Sequence, residues 1–372
     1  MLLYGLLTIV IISFIFIKVK YRFWSSQPIF HIYDIRYWLV PPGIIQRGIP
    51  CKTKFYDDNI TFHIIEKMKR IERSLLYGFI KMHYNYLGNN NATYRYSKRD
   101  FFRLYTHASL RSSYKSKKIQ SCLVSRPLDC SIGRNRFVIS YLDVLCTRVG
   151  YKRMGLGSRQ IYTHYLESRK SNNYGIFLYK GCGSPGIKVP LTTFNTYSIL
   201  AKYWNIPNRD IPINISVHVI NSSNCGLVLD FMKELKNNFD CYIAPNYTQL
   251  LTMVSNGYII PTVIFDNNIV IAATFFRNPG VSVKEGNIIE CIGSYCRDDY
   301  KEIFKTSFSN SVALIQRIYK FSIIRIENIS YNYLLLKTIL ERSVPKGNEV
   351  TQYFLYNCAI TPIFSPNAFI IN

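Results

Sequence analysis

The sequence predicts an α/β protein with a mixed sheet, and three observations support that class. Apolar runs rich in β-branched and aromatic residues alternate with stretches whose apolar residues recur at helical spacing. The chain has 372 residues, and single cores stop growing at ~250–300 residues, so we expect two packed units. Hydrophobic residues make up 48% of the chain, which is ample for two cores and argues against disorder.

The chain begins with an apolar run. Residues 2–17 carry no charge, and Lys18, Lys20 and Arg22 follow them. This run is at the short limit of a membrane-spanning helix, and no small-residue cleavage site follows it. We therefore expect an uncleaved single-pass transmembrane anchor over residues 1–18, with a buried or interfacial helix as the alternative. Cationic residues after the run favour a cytosolic location for the rest of the chain.

An aromatic segment, YRFWSSQPIF, occupies residues 21–30. It closely resembles the Tyr-Lys-Phe-Trp-Asp-Thr-Gln-Pro-Val signature near the start of N-myristoyltransferase catalytic domains. In that family the segment lines the acyl-CoA site. The resemblance implies that Tyr21, Arg22, Phe23 and Trp24 bind acyl-CoA.

A predicted helix at 75–84 precedes a polar loop of glycine and asparagine at 88–91 and the sequence TYRYSKRDFFRLY. These stretches resemble the family's helix, acidic loop and Phe-Arg-Phe-x-Tyr-Ser segment, which implies that Tyr94 and Tyr96 bind the peptide substrate. In the family, acidic residues of the loop receive basic residues of the peptide. Because uncharged residues replace them here, the resemblance does not carry over a preference for basic peptides. Residues 112–118 are polar and basic, and we expect a linker there.

The next stretch predicts a strand at 137–147, a glycine-rich basic turn and a helix at 158–169. Free N–H groups at a helix N-terminus, approached through cationic residues, suit a phosphate group. Lys152-x-x-Gly155-x-Gly157 resembles the pyrophosphate-binding turn of GNAT acyltransferases, and an ordinary β-to-α turn is the alternative. The resemblance implies that acyl-CoA is bound by six consecutive residues: Lys152, Arg153, Met154, Gly155, Leu156 and Gly157.

The second half of the chain repeats the alternation of strands and helices. Strands are expected at 216–220, 258–265, 268–276 and 321–326, and helices at 227–235 and 312–320. Asp266-Asn267-Asn268 should form the turn between the two middle strands. Phe275 and Phe276 stand where the N-myristoyltransferase family has its peptide groove, so the resemblance implies peptide contacts.

The C-terminal region supplies the last resemblance. QYFLYN at 352–357 is similar to the family's Gln-Tyr-Tyr-Leu-Tyr-Asn, which implies a substrate-binding Tyr356. The apolar residues 368–371 predict a buried terminal strand, because exposed tails are usually polar. In the family the terminal carboxylate is the general base, here Asn372.

Counting back from residues 152–153, the family's oxyanion amides fall on Leu142 and Asp143. A carboxylate at Asp143 would oppose a developing negative charge unless it pointed to the other face of the strand.

Charge and cysteine content restrict the partners. Lys and Arg number 46 against 22 acidic residues, a formal charge of +24 that implies an anionic partner: nucleic acid, anionic lipid or a phosphorylated cofactor. No nucleic-acid-binding signature is present, so nucleic acid is not expected. The ten cysteines lack zinc spacing, which predicts reduced thiols and no metal.

From these motifs the chain is identified as a divergent member of the N-myristoyltransferase family. We expect two fused GNAT-like folds: residues 21–204 would bind acyl-CoA, and residues 205–372 would bind peptide and supply the base. The implied activity is transfer of a long-chain acyl group, with myristate expected, from the co-substrate acyl-CoA to the N-terminal glycine of proteins. The alternatives are an inactive membrane protein that binds lipid or peptide and a basic nucleic-acid-binding module.

Overall fold

The computed structural model describes residues 2–39, 43–84, 92–105, 109–115, 118–151, 153–172, 175–204, 207–208 and 210–372. The helices are α1 (Leu2–Lys20), α2 (Ile35–Leu39), α3 (Arg70–His83), α4 (Lys98–Leu104), α5 (Leu156–Asn172), α6 (Cys225–Leu235), α7 (Tyr247–Ser255), α8 (Lys301–Thr306), α9 (Phe308–Tyr319) and α10 (Asn332–Arg342).

The strands are β1 (Gly43–Ile44), β2 (Ile60–Ile64), β3 (Thr93–Tyr94), β4 (Ser109–Lys115), β5 (Lys118–Ile132), β6 (Asn135–Thr147), β7 (Phe177–Cys182), β8 (Thr192–Leu200), β9 (Ile215–Val219), β10 (Cys241–Ala244), β11 (Ile259–Asp266), β12 (Ile269–Arg277), β13 (Val281–Val283), β14 (Gly286–Cys296), β15 (Ile323–Glu327), β16 (Gly347–Tyr356), β17 (Cys358–Ala359) and β18 (Ala368–Ile370).

One large mixed sheet organises the described residues. Its main path runs β18-β10-β5-β6-β7-β16-β8-β15-β14-β12-β11-β9. Parallel pairing joins β6 to β7, β14 to β15 and β10 to β18. In each of the first two pairs, helices connect the strands in the sequence: α5 in the first, and α8 and α9 in the second. The sheet therefore confirms the predicted α/β class and shows the same strand–helix–strand unit in both parts of the chain.

The two parts of the chain also exchange strands. β16, from the C-terminal part, lies between β7 and β8 of the N-terminal part, and β8 pairs in turn with β15. The expected boundary at 204/205 falls between β8 and β9. Because strands from both sides of this boundary alternate in one sheet, the two parts are joined through hydrogen-bonded ladders and not only through side-chain contacts.

Several local predictions agree with the structure. The two middle strands of the second half pair as the antiparallel β11 and β12. Asn267 and Asn268 in their turn have φ of 45° and 72°, the left-handed values that a two-residue hairpin turn requires. The last strand, β18, is buried on both faces, since Phe369 and Ile371 join one core cluster while Ala368 and Ile370 join another.

The linker expected at 112–118 is wrong over its described residues. Residues 112–115 belong to β4, which pairs with β2 on one side and β5 on the other. Ser112 and Ser113 are buried, and the Ser113 hydroxyl bonds to that of Ser121 at 2.8 Å. Cross-strand hydroxyl contacts of this kind stabilise a polar strand. A segment of low hydrophobicity can therefore form a strand, and its polarity alone does not indicate a loop.

The apolar N-terminal run forms α1, and many of its large side chains are exposed, including Ile9, Ile12 and Phe16. Within the part of the chain that the structure describes, no helix combines the length and apolar character needed to cross a membrane. The transmembrane anchor expected over residues 1–18 is therefore not supported.

Candidate active site

The C-terminal tail runs into the interior between the two parts of the sheet. β18 pairs with β10, and the Ile371 amide donates to the Ile243 carbonyl at 2.8 Å. On the other side, a Cβ placed on Gly293 of β14 would lie 3.2 Å from Ile371, so that a glycine there lets the tail pass close to β14. Asn372 is fully buried. The tail thus delivers its last residue to the centre of the molecule.

Arg277, the last residue of β12, holds Asn372 in place. Its Nη1 donates to the Asn372 main-chain oxygen at 3.2 Å and to Oδ1 at 2.6 Å. Its Nε and Nη2 contact Glu290 at 2.7 and 2.6 Å, and Nη2 lies 3.7 Å from Glu327. Although burial opposes charge, Glu290 and Glu327 raise the pKa of Arg277 well above its usual value. A permanently charged guanidinium therefore faces the terminal residue.

Arg277 and Glu290 also line a cavity of about 130 Å³ that we call the tyrosine cavity. Leu142 and Asp143 form part of its wall, as does Lys180, which forms an ion pair with Glu327. Six tyrosines complete most of the lining: Tyr84, Tyr94, Tyr96, Tyr105, Tyr141 and Tyr258. Burial raises the pKa of Tyr258 to about 12, and Asp143 adds to the shift. These rings stay protonated near neutral pH, and two of their hydroxyls already donate to protein groups, Tyr105 to Asp143 and Tyr96 to the Asn278 carbonyl.

A bulge marks the point where Leu142 and Asp143 meet the cavity. Val124 and Ser125 are consecutive on β5, but their partners on β6 are Val144 and Leu142. Asp143 is thus the extra residue of a β-bulge, and such a residue is left out of the ladder. On the other side, β6 pairs with β7 over residues 140–142. A main-chain N–H freed at such a point can bind a ligand oxygen, which is what an oxyanion site needs.

The side chains of Leu142 and Asp143 have different surroundings. Leu142 packs against the cluster that includes Ile29 and Tyr356. The Asp143 carboxylate accepts a hydrogen bond from the Tyr105 hydroxyl at 2.9 Å and from Nε of Arg126 at 3.3 Å. Arg126 is 3% exposed. The anticipated repulsion by Asp143 is thus reduced by a buried cation beside it, even though Asp143 itself lines the cavity.

The glycine-rich turn before α5 has the backbone of a tight turn. Gly155 has φ of 77° with open space where its Cβ would be, so conformation and not crowding favours glycine. The Arg159 amide donates to the Gly155 carbonyl at 3.0 Å and closes the first helical turn. Arg153 also has a positive φ, of 68°, and Met154 is exposed. Lys152 lies outside the described residues. Leu156 and Gly157 begin the helix.

The aromatic segment at 21–24 packs against β7 and the loop after it. Trp24 stacks on Tyr179 with ring centroids 5.5 Å apart. The Tyr21 ring covers Gly186, where an added Cβ would lie 2.8 Å from the ring. Phe23 contacts Phe55, with centroids 5.0 Å apart. Arg22 is exposed. This side of the molecule also holds Leu142, because Trp24 and Leu142 pack against the same cluster.

Lys188 occupies an aromatic cage beneath this segment. Its Nζ lies 4.4 Å from the Trp24 ring centroid, 4.3 Å from that of Phe354 and 5.4 Å from that of Tyr179. Burial lowers the pKa of Lys188 to about 8. A lysine this close to Trp24 places a titratable amine beside the segment expected to bind acyl-CoA.

The remaining predicted site residues fall in different places. Tyr94 and Tyr96 line the tyrosine cavity with Leu142 and Asp143. Phe275 contacts Phe369 of the tail, with centroids 5.5 Å apart. Phe276 stacks on Phe308 in the core under the C-terminal part.

Tyr356 donates to Gln27 Oε1 at 2.5 Å, near the aromatic segment and not at the cavity. Its hydroxyl therefore fixes the N-terminal segment to the sheet.

Sequence reasoning missed Arg277, Tyr105, Tyr258 and Lys188. For Arg277 a signal existed, since it is a single cation at the end of an otherwise uncharged strand. The tyrosines come from separate segments, and nothing local indicates that they converge. Among the described residues, no group of three or more His, Cys, Asp or Glu could hold a metal ion.

No protein-family model matches the sequence, and no curated protein matches it either. Solved structures do match. N-myristoyltransferase from Saccharomyces cerevisiae with bound myristoyl-CoA has a TM-score of 0.72 at 11% identity, over 94% of this chain and 99% of that one. The same yeast enzyme with myristoyl-CoA and inhibitors has a TM-score of 0.71 at 12% identity, over 92% and 91%. At this identity the likeness concerns the fold, and the chain has the fold of N-myristoyltransferase.

Proposed function

We propose that the protein is an acyl-CoA-dependent N-acyltransferase that transfers a long-chain acyl group, myristate, to the amine of an N-terminal glycine. The observation that carries the proposal is the convergence on one cavity of the β6 bulge, the tyrosines and the Arg277 that holds Asn372. The fold adds support, because the yeast enzyme of the same fold binds myristoyl-CoA.

In the proposed reaction, a carboxylate at Asn372 takes a proton from the incoming ammonium group. The amine then attacks the thioester carbonyl, and the amides of Leu142 and Asp143 hold the oxyanion that develops. Collapse of this intermediate forms the amide bond and breaks the C–S bond, and the proton that the nitrogen loses is taken up by the departing CoA thiolate. General-base catalysis of this kind contributes ~10²–10⁴-fold, and each lost oxyanion donor costs roughly 3–4 kcal/mol.

The acyl-CoA would lie on the other side of β6, between the 21–24 segment and the start of α5. Tyr21, Phe23 and Trp24 supply apolar area there, and the N–H groups at the start of α5 suit its pyrophosphate. The two substrates would then meet across Leu142, which borders both regions.

The test is transfer of labelled myristate from myristoyl-CoA to a peptide that begins with glycine. A peptide with an acetylated N-terminus serves as the control, since it has no free amine. We expect label on the free peptide alone. Absence of transfer to any glycine peptide would contradict the proposal.

A second experiment tests the base. Extending the chain beyond Asn372 with a short tag converts the carboxylate into an amide, so turnover should be lost while acyl-CoA binding persists. Unchanged turnover in the extended protein would remove Asn372 from its proposed role.

One observation favours the alternative of an inactive binding protein. The Asn372 main-chain oxygen accepts from the charged Arg277, and a carboxylate that accepts a hydrogen bond from a cation is a weaker base because its charged form is stabilised. Under this alternative the protein binds myristoyl-CoA and glycine peptides but transfers nothing between them.

The location of the protein is a separate proposal: association with a membrane, with the sheet on the cytosolic side. Exposed apolar side chains along α1, followed by Lys18 and Lys20, support it. Fractionation of cells that express the full chain tests it, and recovery in the soluble fraction would contradict it.

A further inference from the structure

A concave basic surface lies between α3 and α4. We call it the basic cleft. It has a volume of about 780 Å³, and its lining combines two apolar residues with five cationic ones: Met68, Phe102, Arg70, Arg73, Lys98, Arg99 and Arg103. Basic side chains on two helices thus face one depression.

The surroundings of the cleft are also strongly basic. Residues 66–73 and 95–103 together carry eight Lys or Arg and three Asp or Glu. Two of these three acids already bind groups of their own helix ends: Glu72 accepts from the Lys69 amide at 2.8 Å, and Asp100 accepts from the Ser97 hydroxyl at 2.5 Å. Arg70 and Arg99 are exposed. The cleft therefore presents a local excess of positive charge to a ligand.

One chain segment links the cleft to the tyrosine cavity. Tyr96 lines both the cavity and an adjoining polar groove of about 250 Å³, which Arg95, Ser97 and Gly280 also line. Lys98, the next residue along the chain, lines the basic cleft. A peptide whose N-terminus enters the cavity can leave it along this segment and reach the cleft.

We propose that the basic cleft binds an acidic segment of the acceptor peptide, downstream of the N-terminal glycine. The inference rests on the proposed N-acyltransferase function and names its substrate class. Charge complementarity attracts the acidic segment to the cleft. The course of residues 94–103 from the cavity to the cleft sets how far from the glycine that segment must lie. The cleft would thereby select acceptors with Asp or Glu some residues after the glycine and disfavour acceptors with Lys or Arg there.

The shape of the cleft favours a peptide over the other anionic macromolecules. A bilayer surface is broad and flat, whereas the cationic groups here face a concave space that an extended chain can enter. Single-stranded nucleic acid is normally held by exposed aromatic rings on which bases stack. The aromatic ring of the cleft, Phe102, is only 8% exposed, so it offers no stacking platform.

The test compares three labelled peptides that begin with glycine and differ only in a distal half carrying Glu, Gln or Lys. Affinity for the full chain is measured by fluorescence anisotropy with a thioether analogue of myristoyl-CoA present, which cannot transfer its acyl group. We expect the Glu peptide to bind about tenfold more tightly than the Gln peptide and the Lys peptide more weakly. The preference should vanish near ~1 M salt, where the screening length falls to ~3 Å.

The double variant Arg70→Glu with Arg99→Glu should lose the preference for Glu and leave the affinity of the Gln peptide unchanged. The matched control is Lys233→Glu, which reverses a highly exposed charge on α6, and should change none of the three affinities. Circular dichroism checks that the variants are folded.

Equal affinities for the Glu and Gln peptides would overturn the inference, as would a double variant that weakens all three peptides alike. An oligonucleotide or an anionic vesicle that outcompetes the Glu peptide, and depends on the same two arginines, would replace the peptide as the occupant. Binding is measured without turnover, so an inactive enzyme can still show the preference. Turnover without any charge preference would remove this inference and keep the proposed function.

Discussion

Arg277 contacts three groups at the centre of the molecule: Glu290, Glu327 and Asn372. Replacing it by Met would remove the cation that lies 2.6 Å from the buried Glu290 carboxylate, whereas Glu327 keeps its ion pair with Lys180, and removing one partner of a buried pair costs about 3–5 kcal/mol. We expect Arg277→Met to lower the free energy of unfolding by that amount in urea titration, and to abolish turnover.

The matched control for this prediction is Lys233→Met. Lys233 pairs with Asp230 at 2.8 Å on the surface, where the two side chains are 78% and 76% exposed, so its loss should cost less than about 1 kcal/mol. Arg277→Met with Glu290→Gln should recover part of the stability. Equal costs for the two single variants would show that the buried network is not a major source of stability.

Gly280 permits close packing between Tyr96 and the loop after β12. Its φ is 63°, and an added Cβ would lie 2.2 Å from the Tyr96 ring. Gly280→Ala should therefore cost about 1–2 kcal/mol for the backbone and a further ~1–3 kcal/mol for overpacking. Displacement of Tyr96 should also weaken binding of glycine peptides.

Gly133→Ala separates the backbone cost from the overpacking cost. Gly133 has φ of 55° and open space at the Cβ position, so that only the backbone cost applies. Urea titration of both variants measures the difference, and equal losses of stability would mean that Tyr96 moves aside without cost.

At the scale of elements, the terminal strand β18 depends on its own side chains for its position. Phe369 is fully buried and contacts Phe239, Tyr242 and Phe275, with centroids 5.2, 5.4 and 5.5 Å away. Phe369→Ala should cost about 3–5 kcal/mol and should reduce turnover by displacing Asn372.

Phe364→Ala is the control for this prediction, since Phe364 lies five residues earlier in the same segment and is 73% exposed. Its effect on unfolding in urea should be within about 0.5 kcal/mol of zero. A loss of turnover in Phe364→Ala equal to that in Phe369→Ala would contradict the role given to β18.

At the scale of the whole molecule, the buried tyrosines link stability to alkaline pH. Burial raises the pKa of Tyr94, Tyr96, Tyr105 and Tyr141 well above the ordinary value, and that of Tyr258 to about 12. Above about pH 10 the unfolded chain loses these protons while the folded chain keeps them. Since the folded state then binds more protons, stability must fall as the pH rises further.

As far as these tyrosines are concerned, we therefore expect the free energy of unfolding to stay nearly constant up to about pH 10 and to fall at higher pH. The part of the tyrosinate absorbance that comes from the buried tyrosines should rise together with the loss of the folded circular dichroism signal. Full ionisation of the tyrosines near pH 10 in a still folded protein would contradict the burial of the cavity.

Much of the fold could be predicted because it depends on the pattern of residues within single segments. The apolar run of β6 and the helical spacing in α5 need only neighbouring residues, and the Asn267-Asn268 turn needs only its left-handed conformation. The polar strand β4 could not be predicted in this way, because its stability comes from partners on β2 and β5.

The candidate site divides in the same manner. The roles expected for Tyr94, Tyr96, Leu142, Asp143 and Asn372 came from the resemblance to the N-myristoyltransferase family, and the burial of the tail came from its apolar residues. The sequence does not show that Arg277 binds Asn372 or that Arg126 compensates Asp143. It also does not show that six tyrosines enclose one cavity. Contacts between distant segments depend on how the sheet brings its strands together, and charges stay buried only where that arrangement supplies partners.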